Sequence, residues 1–187
     1  EHIPFKQDMF AFVQVLEGRL KKAGVKVVLN TEITPEQAAQ EQADVVMVAI
    51  GAQQIVPPIP GIDNPKVVDL KALHQPSPAV GQRVVILGGG LVGCESAIYL
   101  DSLGKEVTIV EMKENWAADS YFMHRNAMNM YIRQSHIKIL VGTTAKEVTD
   151  QGLICHTPQG EQLLEADTIL LAAGMRSDRQ LTDAFYN

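Results

Sequence analysis

Residues Arg83–Ala97 read RVVILGGGLVGCESA, and the reading of this stretch decides the fold. An apolar run (Val84, Val85, Ile86, Leu87) feeds a glycine cluster, and a helix-like segment follows from Leu91. The cluster contains G-x-G-x-x-G at Gly88, Gly90 and Gly93. Glycines recur in turns of every kind, so the motif alone is weak. Here a second strand-like segment, Glu106–Val110, ends on an acid, Glu111, 18 residues after Gly93. That is close to the ~20 expected of a strand–turn–helix–strand unit that binds a dinucleotide.

Each glycine has a physical task in such a unit. Gly88 permits the tight turn out of the strand. Gly90 lacks a Cβ, so a pyrophosphate can approach the backbone. Gly93 lets the helix pack close to the strand. The first helical turn, with Leu91 and Val92, offers free N–H groups and the positive end of the helix dipole to the phosphates. Glu111 accepts hydrogen bonds from the adenosine ribose. The bland alternative is a glycine-rich turn that binds nothing, but strand, helix and acid together favour a nucleotide.

Composition narrows the class. The 187 residues are 46% hydrophobic and 20% charged, enough apolar content for a core and too little charge for disorder. A net charge of −6 and no basic stretch interleaved with aromatics speak against a nucleic-acid partner. No apolar run approaches the ~18 residues of a membrane span. Cytoplasmic residence is the default. The two cysteines, Cys94 and Cys155, form no C-x-x-C pair. Cys94 lies just inside the helix, where a reactive thiol is conceivable, but a small residue packed beneath the turn is the favoured reading. The five histidines form no H-x-x-H or H-E-x-x-H pattern, so no metal site is assigned. The chain opens at Glu1 with no methionine and no leader, which reads as a piece of something longer.

Periodicity organises the rest. Phe5–Ala23 has one apolar face at helical spacing and stops at Gly24. Strands are expected at Val25–Leu29 and Val45–Ile50, with a capped helix opening at Thr34 between them. Pro57, Pro58, Pro60 and Pro65 mark an ordered crossing segment. A short helix is expected at Asp69–His74, and the break Gln75–Gln82 is read as the boundary between two units. Beyond it come the helix Leu91–Leu103, stopped by Gly104, a helix over Ser120–Gln134, and the strand Ile137–Leu140. Ala145–Thr149, Leu153–Thr157 and Glu161–Glu165 form an antiparallel meander, and the strand Thr168–Leu171 closes toward Gly174. ADVVMVAIGA (43–52) and ADTILLAAGM (166–175) echo one another, each a buried-type strand closing on a glycine, Gly51 and Gly174. The sharper reading of the echo is two dinucleotide folds with a cofactor beside each glycine. The fold class is therefore α/β: a Rossmann-like parallel sheet with an antiparallel meander, plus a partial second domain.

With GGGLVGCESA and Glu111, the strand ends VAIGA and LAAGM, and IVPPIPGID between the units, the chain resembles the two-dinucleotide flavoprotein reductases over nearly its whole length. Within them it looks most like the C-terminal region of 2,4-dienoyl-CoA reductase and the NADH:flavin oxidoreductases of the old yellow enzyme type. The resemblance implies that residues 1–75 are a partial FAD-domain segment, 76–175 the NAD(P)H domain, and 176–187 the start of a return to the FAD domain. It implies that Gly51 and Gly174 flank cofactors and that Glu95 sits on the helix facing the nicotinamide. It also implies FMN and a 4Fe-4S cluster in the intact protein, on domains that would be this chain's missing partners. A second G-x-G-x-x-G for FAD, the barrel and the cluster cysteines are not in this sequence. The isolated chain is thus expected to be inactive, with no catalytic residue of its own.

Glu111 favours NADH over NADPH, because a carboxylate repels a 2′-phosphate. Lys113 could offer a counter-charge, but a solvated loop lysine is the simpler reading. His124 and Arg125 are read as solvated helix residues. Trp116 either borders the adenine or plugs the unit interface, and the sequence does not choose. The leading function is the pyridine-nucleotide half of a flavin-dependent oxidoreductase, passing hydride from NADH to FAD. The alternative is a non-catalytic module that holds ADP.

Overall fold

A computed structural model describes residues 6–74 and 79–186, in two compact units: residues up to Gln53 together with those from Arg176, and Gln54–Met175. The segment 54–74, expected on the far side of a boundary at 75–82, falls within the second unit.

The first unit is mainly helical. Its helix α1 (Gln7–Lys22) ends in a Schellman arrangement, with Gly24 at φ 68°, its N–H on Lys21 O and that of Val25 on Leu20 O. Helix α2 (Pro35–Gln40) carries a capping box: Thr34 Oγ1 accepts from Gln37 N, and Gln37 Oε1 accepts from Thr34 N. A short helix α5 (Arg179–Ala184) is capped by Asp178. The strands expected at Val25–Leu29 and Val45–Ile50 do not form. An extended segment becomes a strand only when a neighbour takes its N–H and C=O groups. Among the described residues no strand lies beside either segment, and most of their apolar side chains stay exposed, Met47 to 89%. The echo between 43–52 and 166–175 is therefore realised in only one copy.

In the second unit a five-stranded parallel sheet has the order β2 (Val67–Val68), β9 (Thr168–Leu171), β3 (Arg83–Leu87), β4 (Glu106–Val110), β5 (Lys138–Leu140). Short strands β1 (Ala52–Gln54) and β10 (Met175–Ser177) lie where the chain passes between units. The continuous apolar runs of β3 and β9 are buried on both faces, as central parallel strands are. Alternation sends Val84 and Ile86 to one face, where Cys94, Ala97 and Leu100 of α3 (Leu91–Ser102) and Met128 of α4 (Phe122–Gln134) pack. Val85 and Leu87 face the opposite way, against Val148, Leu153 and Cys155 of the antiparallel meander β6 (Thr144–Thr149), β7 (Gly152–Thr157), β8 (Gly160–Glu165). The result is a Rossmann-like sheet with helices on one face and a meander on the other.

Two local devices explain the packing. Helix α3 stops in a second Schellman motif, with Gly104 at φ 75°, its N–H on Asp101 O and that of Lys105 on Leu100 O. The proline-rich segment threads against the meander: Pro60 O accepts from Val148 N, and a Cβ on Gly61 would lie 2.1 Å from Val148 O. The short helix near 69–74 is a 3-10 turn, Leu70–His74. Among the described residues no helix is long and apolar enough to cross a membrane.

Candidate nucleotide-binding site

Strand order places β9 and β4 on opposite sides of β3. The chain thus leaves β3 in one direction and returns on the other, a topological switch point. In open α/β sheets the crevice beyond the carboxyl ends of such strands is where ligands bind. A cavity of about 330 Å³ opens there. It is lined by Leu87–Gly90 after β3, by Val110–Lys113 after β4, by Thr143–Ala145 beyond β5 and by Ala172–Gly174 after β9.

The glycine turn is built by close approach. Gly88 has φ 111°, and a Cβ there would lie 2.3 Å from Ala172 O. A Cβ on Gly93 would lie 1.9 Å from Gly88 O, so the helix could not rest where it does. Gly90 is different. Its backbone (φ −70°, ψ −176°) suits any residue, and its Cβ would meet only the Asp119 carboxylate, at 3.8 Å. The space above it is where a ligand backbone could approach. Gly90 also has no side chain to cap α3, which leaves first-turn N–H groups without a side-chain acceptor.

Glu111 is 7% exposed and held by two backbone amides: Oε2 accepts from Gly89 N at 2.7 Å and Oε1 from Lys113 N at 2.8 Å. Each carboxylate oxygen keeps a further lone pair for a ligand donor. Gly89, unremarked in the sequence pattern, is constrained by this arrangement, because its Cβ would fall 2.9 Å from Glu111 Cβ. Cys94 is fully buried, its Sγ 3.5 Å from Gly89 O. Burial, reinforced by the Glu111, Asp119 and Glu95 charges, pushes its thiol up to about 12. It packs beneath the turn, where burial disfavours the thiolate.

The structure brings Gly88, Gly90, Glu111 and Gly174 to one cavity, with Gly93 directly beneath. It does not bring Glu95 to the lining, and Glu95 Oε1 lies 3.5 Å from His124 Nε2 on α4. Leu91 is half-buried against the core and Val92 is exposed, so only their backbone can serve a ligand. Gly51 belongs to the other unit. Trp116 packs on the helix-side core. Sequence reasoning missed Thr143, Ala172 and the loop residues Ala117 and Asp119. The loop is pinned by Ala117, whose N–H donates to Gly89 O at 2.6 Å. Their only sequence signal was position after a strand end.

Comparison with known proteins bears on the same residues. The family model for pyridine nucleotide-disulphide oxidoreductases matches residues 26–185. A cinnamate reductase from Clostridium sporogenes is 34% identical over 180 residues, which cover 95% of this chain and 27% of the reductase. An NADH oxidase from Thermoanaerobacter brockii is 31% identical over 176 residues, covering 91% of this chain and 27% of the oxidase. Among solved structures, a 2-naphthoyl-CoA reductase in complex with 2-naphthoyl-CoA superimposes with a TM-score of 0.87 at 28% identity, over 98% of this chain and 28% of that one. The chain thus spans little more than a quarter of the length of these relatives.

Proposed function

The chain belongs to the pyridine nucleotide-disulphide oxidoreductase family, and from that premise we propose that it is the pyridine-nucleotide-binding portion of a flavin-dependent NADH oxidoreductase of the 2,4-dienoyl-CoA reductase or NADH:flavin oxidoreductase type. The observation that carries this reading is the meeting of Gly88, Gly90 and Glu111 around one cavity at the switch point of the sheet. In this reading Gln54–Met175 takes NADH, while residues up to Gln53 and from Arg176 belong to a discontinuous FAD domain. Two reductases and an NADH oxidase among the relatives support it.

The residues present fit a dinucleotide. The Gly88–Gly93 turn leaves backbone amides and open space for the pyrophosphate. Glu111 accepts the ribose hydroxyls and repels a 2′-phosphate, which favours NADH over NADPH. When bound, the nicotinamide supplies the hydride, and the chain's task is to hold and orient it toward FAD. FMN and a 4Fe-4S cluster would lie elsewhere in the full protein, on the way to an unsaturated substrate. This chain's residues do not fit such a cluster: Cys94 and Cys155 are both buried, on α3 and β7, and among the described residues no three His, Cys, Asp or Glu are grouped to hold a metal. In this reading no electron step is routed through this chain's cysteines.

The test is anaerobic reduction of the full-length flavoprotein. NADH bleaches the flavin absorbance and NADPH does so much more slowly. A flavin that ignores NADH while ADP binds tightly would overturn the reading in favour of an adenine-nucleotide module.

A further inference from the structure

The lining of the cavity that would take a pyrophosphate carries more acid than base. Two carboxylates, Glu111 and Asp119, line the cavity, a third, Glu95, lies outside the lining, and they are not equivalent. Glu111 is locked onto the Gly89 and Lys113 amides. Glu95 faces His124 on α4. Asp119 lines the cavity, is exposed, and has both carboxylate oxygens 3.8 Å from where a Gly90 Cβ would stand. No hydrogen bond or ion pair to another described residue engages its side chain. Lys113 is the single basic residue in the lining.

The position of Asp119 is not loose. Two residues earlier the chain passes through Ala117, buried and at φ 45°, a left-handed conformation that a non-glycine residue adopts only when its surroundings hold it there. The Ala117 N–H is bonded to the carbonyl of Gly89, the middle of the glycine turn. The loop is thereby fastened to the cradle, and Asp119 with it. A negative charge is held at the mouth of α3, in the field that would otherwise attract phosphate.

We propose that Asp119 is a specificity-determining residue of the nucleotide site: a built-in negative charge over Gly90 that weakens binding of every anionic nucleotide and penalises the more highly charged ones most. This rests on the nucleotide-binding reading and deepens it. NADH, with two phosphate charges, is tolerated. ADP, whose terminal phosphate carries additional charge, is disfavoured. The site then selects the dinucleotide over free adenine nucleotides by repulsion as well as by contact.

The experiment measures dissociation constants of NADH and ADP for the full-length protein and two variants, at low and high salt. Asp119→Asn removes the charge and keeps the shape; Asp119→Glu keeps the charge. Asp119→Asn is expected to bind NADH about three- to tenfold more tightly and to gain more for ADP, with both gains shrinking in high salt. Asp119→Glu is expected to stay within about twofold of the parent. Equal affinities in Asp119→Asn, weaker binding, or equal gains for NADH and ADP would overturn the proposal. Weaker NADH binding in Asp119→Asn alone would make Asp119 a contact for the ligand and leave the nucleotide-binding reading standing. A parent and variants that all fail to bind NADH would overturn both.

Discussion

Gly93 and Gly90 belong to one motif, yet the structure gives them separable tasks, and alanine at each should separate fold from function. A Cβ on Gly93 would lie 1.9 Å from Gly88 O, 3.1 Å from Gly88 C and 3.4 Å from Ala172 Cβ. Comfortable contact is near ~3.5 Å, so α3 must move away from β3 by more than about an ångström. That motion opens the seam where Cys94, Ala97 and Leu100 meet Val84 and Ile86. Overpacking costs about 1–3 kcal/mol, and an overlap with rigid backbone belongs at the upper end. Alanine returns about 1 kcal/mol of helix propensity over glycine. The net loss is about 2 kcal/mol, a fall of about 8 °C in the transition of a unit this size. Gly90→Ala meets only a carboxylate at 3.8 Å, in an allowed conformation. It should melt within about 2 °C of the parent yet lose about tenfold or more in NADH affinity, because the added methyl stands where the pyrophosphate approaches. Calorimetry and an NADH titration on both variants decide the matter. A Gly93→Ala protein of unchanged stability would refute the steric reasoning, and a Gly90→Ala protein of unchanged affinity would refute the placement of the pyrophosphate.

Two further outcomes follow from charged groups. Glu111→Ala strands the Gly89 amide and costs about 1–3 kcal/mol, whereas Glu111→Gln keeps one acceptor, costs less, and narrows the preference for NADH over NADPH; competitive titration of the two cofactors reads this out. Asp167 receives the Arg83 guanidinium and the Arg83 N–H (2.8 and 2.9 Å), and these bonds lower its carboxyl to about 2. A folded value below the ordinary one means that this contribution to stability is complete above about pH 4 and is lost as pH falls toward 2. Acid unfolding of Asp167→Asn should therefore be less pH-dependent than that of the parent in that window, and parallel acid limbs would refute the link.

Much of the second unit was legible because its signals are local. The run 84–87 is apolar without alternation because both faces are covered, and Gly104 ends α3 because only a left-handed residue closes that motif. Glu111 could be found by counting from Gly93. Asp119 could not, since nothing in MKENWAADS marks which residue will turn toward the cradle. That choice is made by Ala117, whose bond to Gly89 joins residues 28 apart, and no local pattern encodes it. The strand β2, two residues long, is set wholly by its pairing with β9 and carries too few residues for a period to show.

The paired segments 43–52 and 166–175 make the same point from the other side. Both have a leading Ala-Asp, an apolar run and a closing glycine, so intrinsic preference is nearly equal. Residues 168–171 become β9 because β2 and β3 lie on either side and accept their backbone groups, and all four side chains are buried. Residues 45–50 have no described strand beside them and form none, and all but the half-buried Val48 are exposed. The pattern therefore encodes a capacity to be a central strand, and the neighbours decide whether it is used. It follows that a polypeptide supplying a parallel edge to 45–50 would bury Val45 and Met47 or their alternates, Val46 and Val48, on opposite faces of the new sheet. In the discontinuous FAD domain proposed above, that edge would come from the flavin-binding part of the full-length protein.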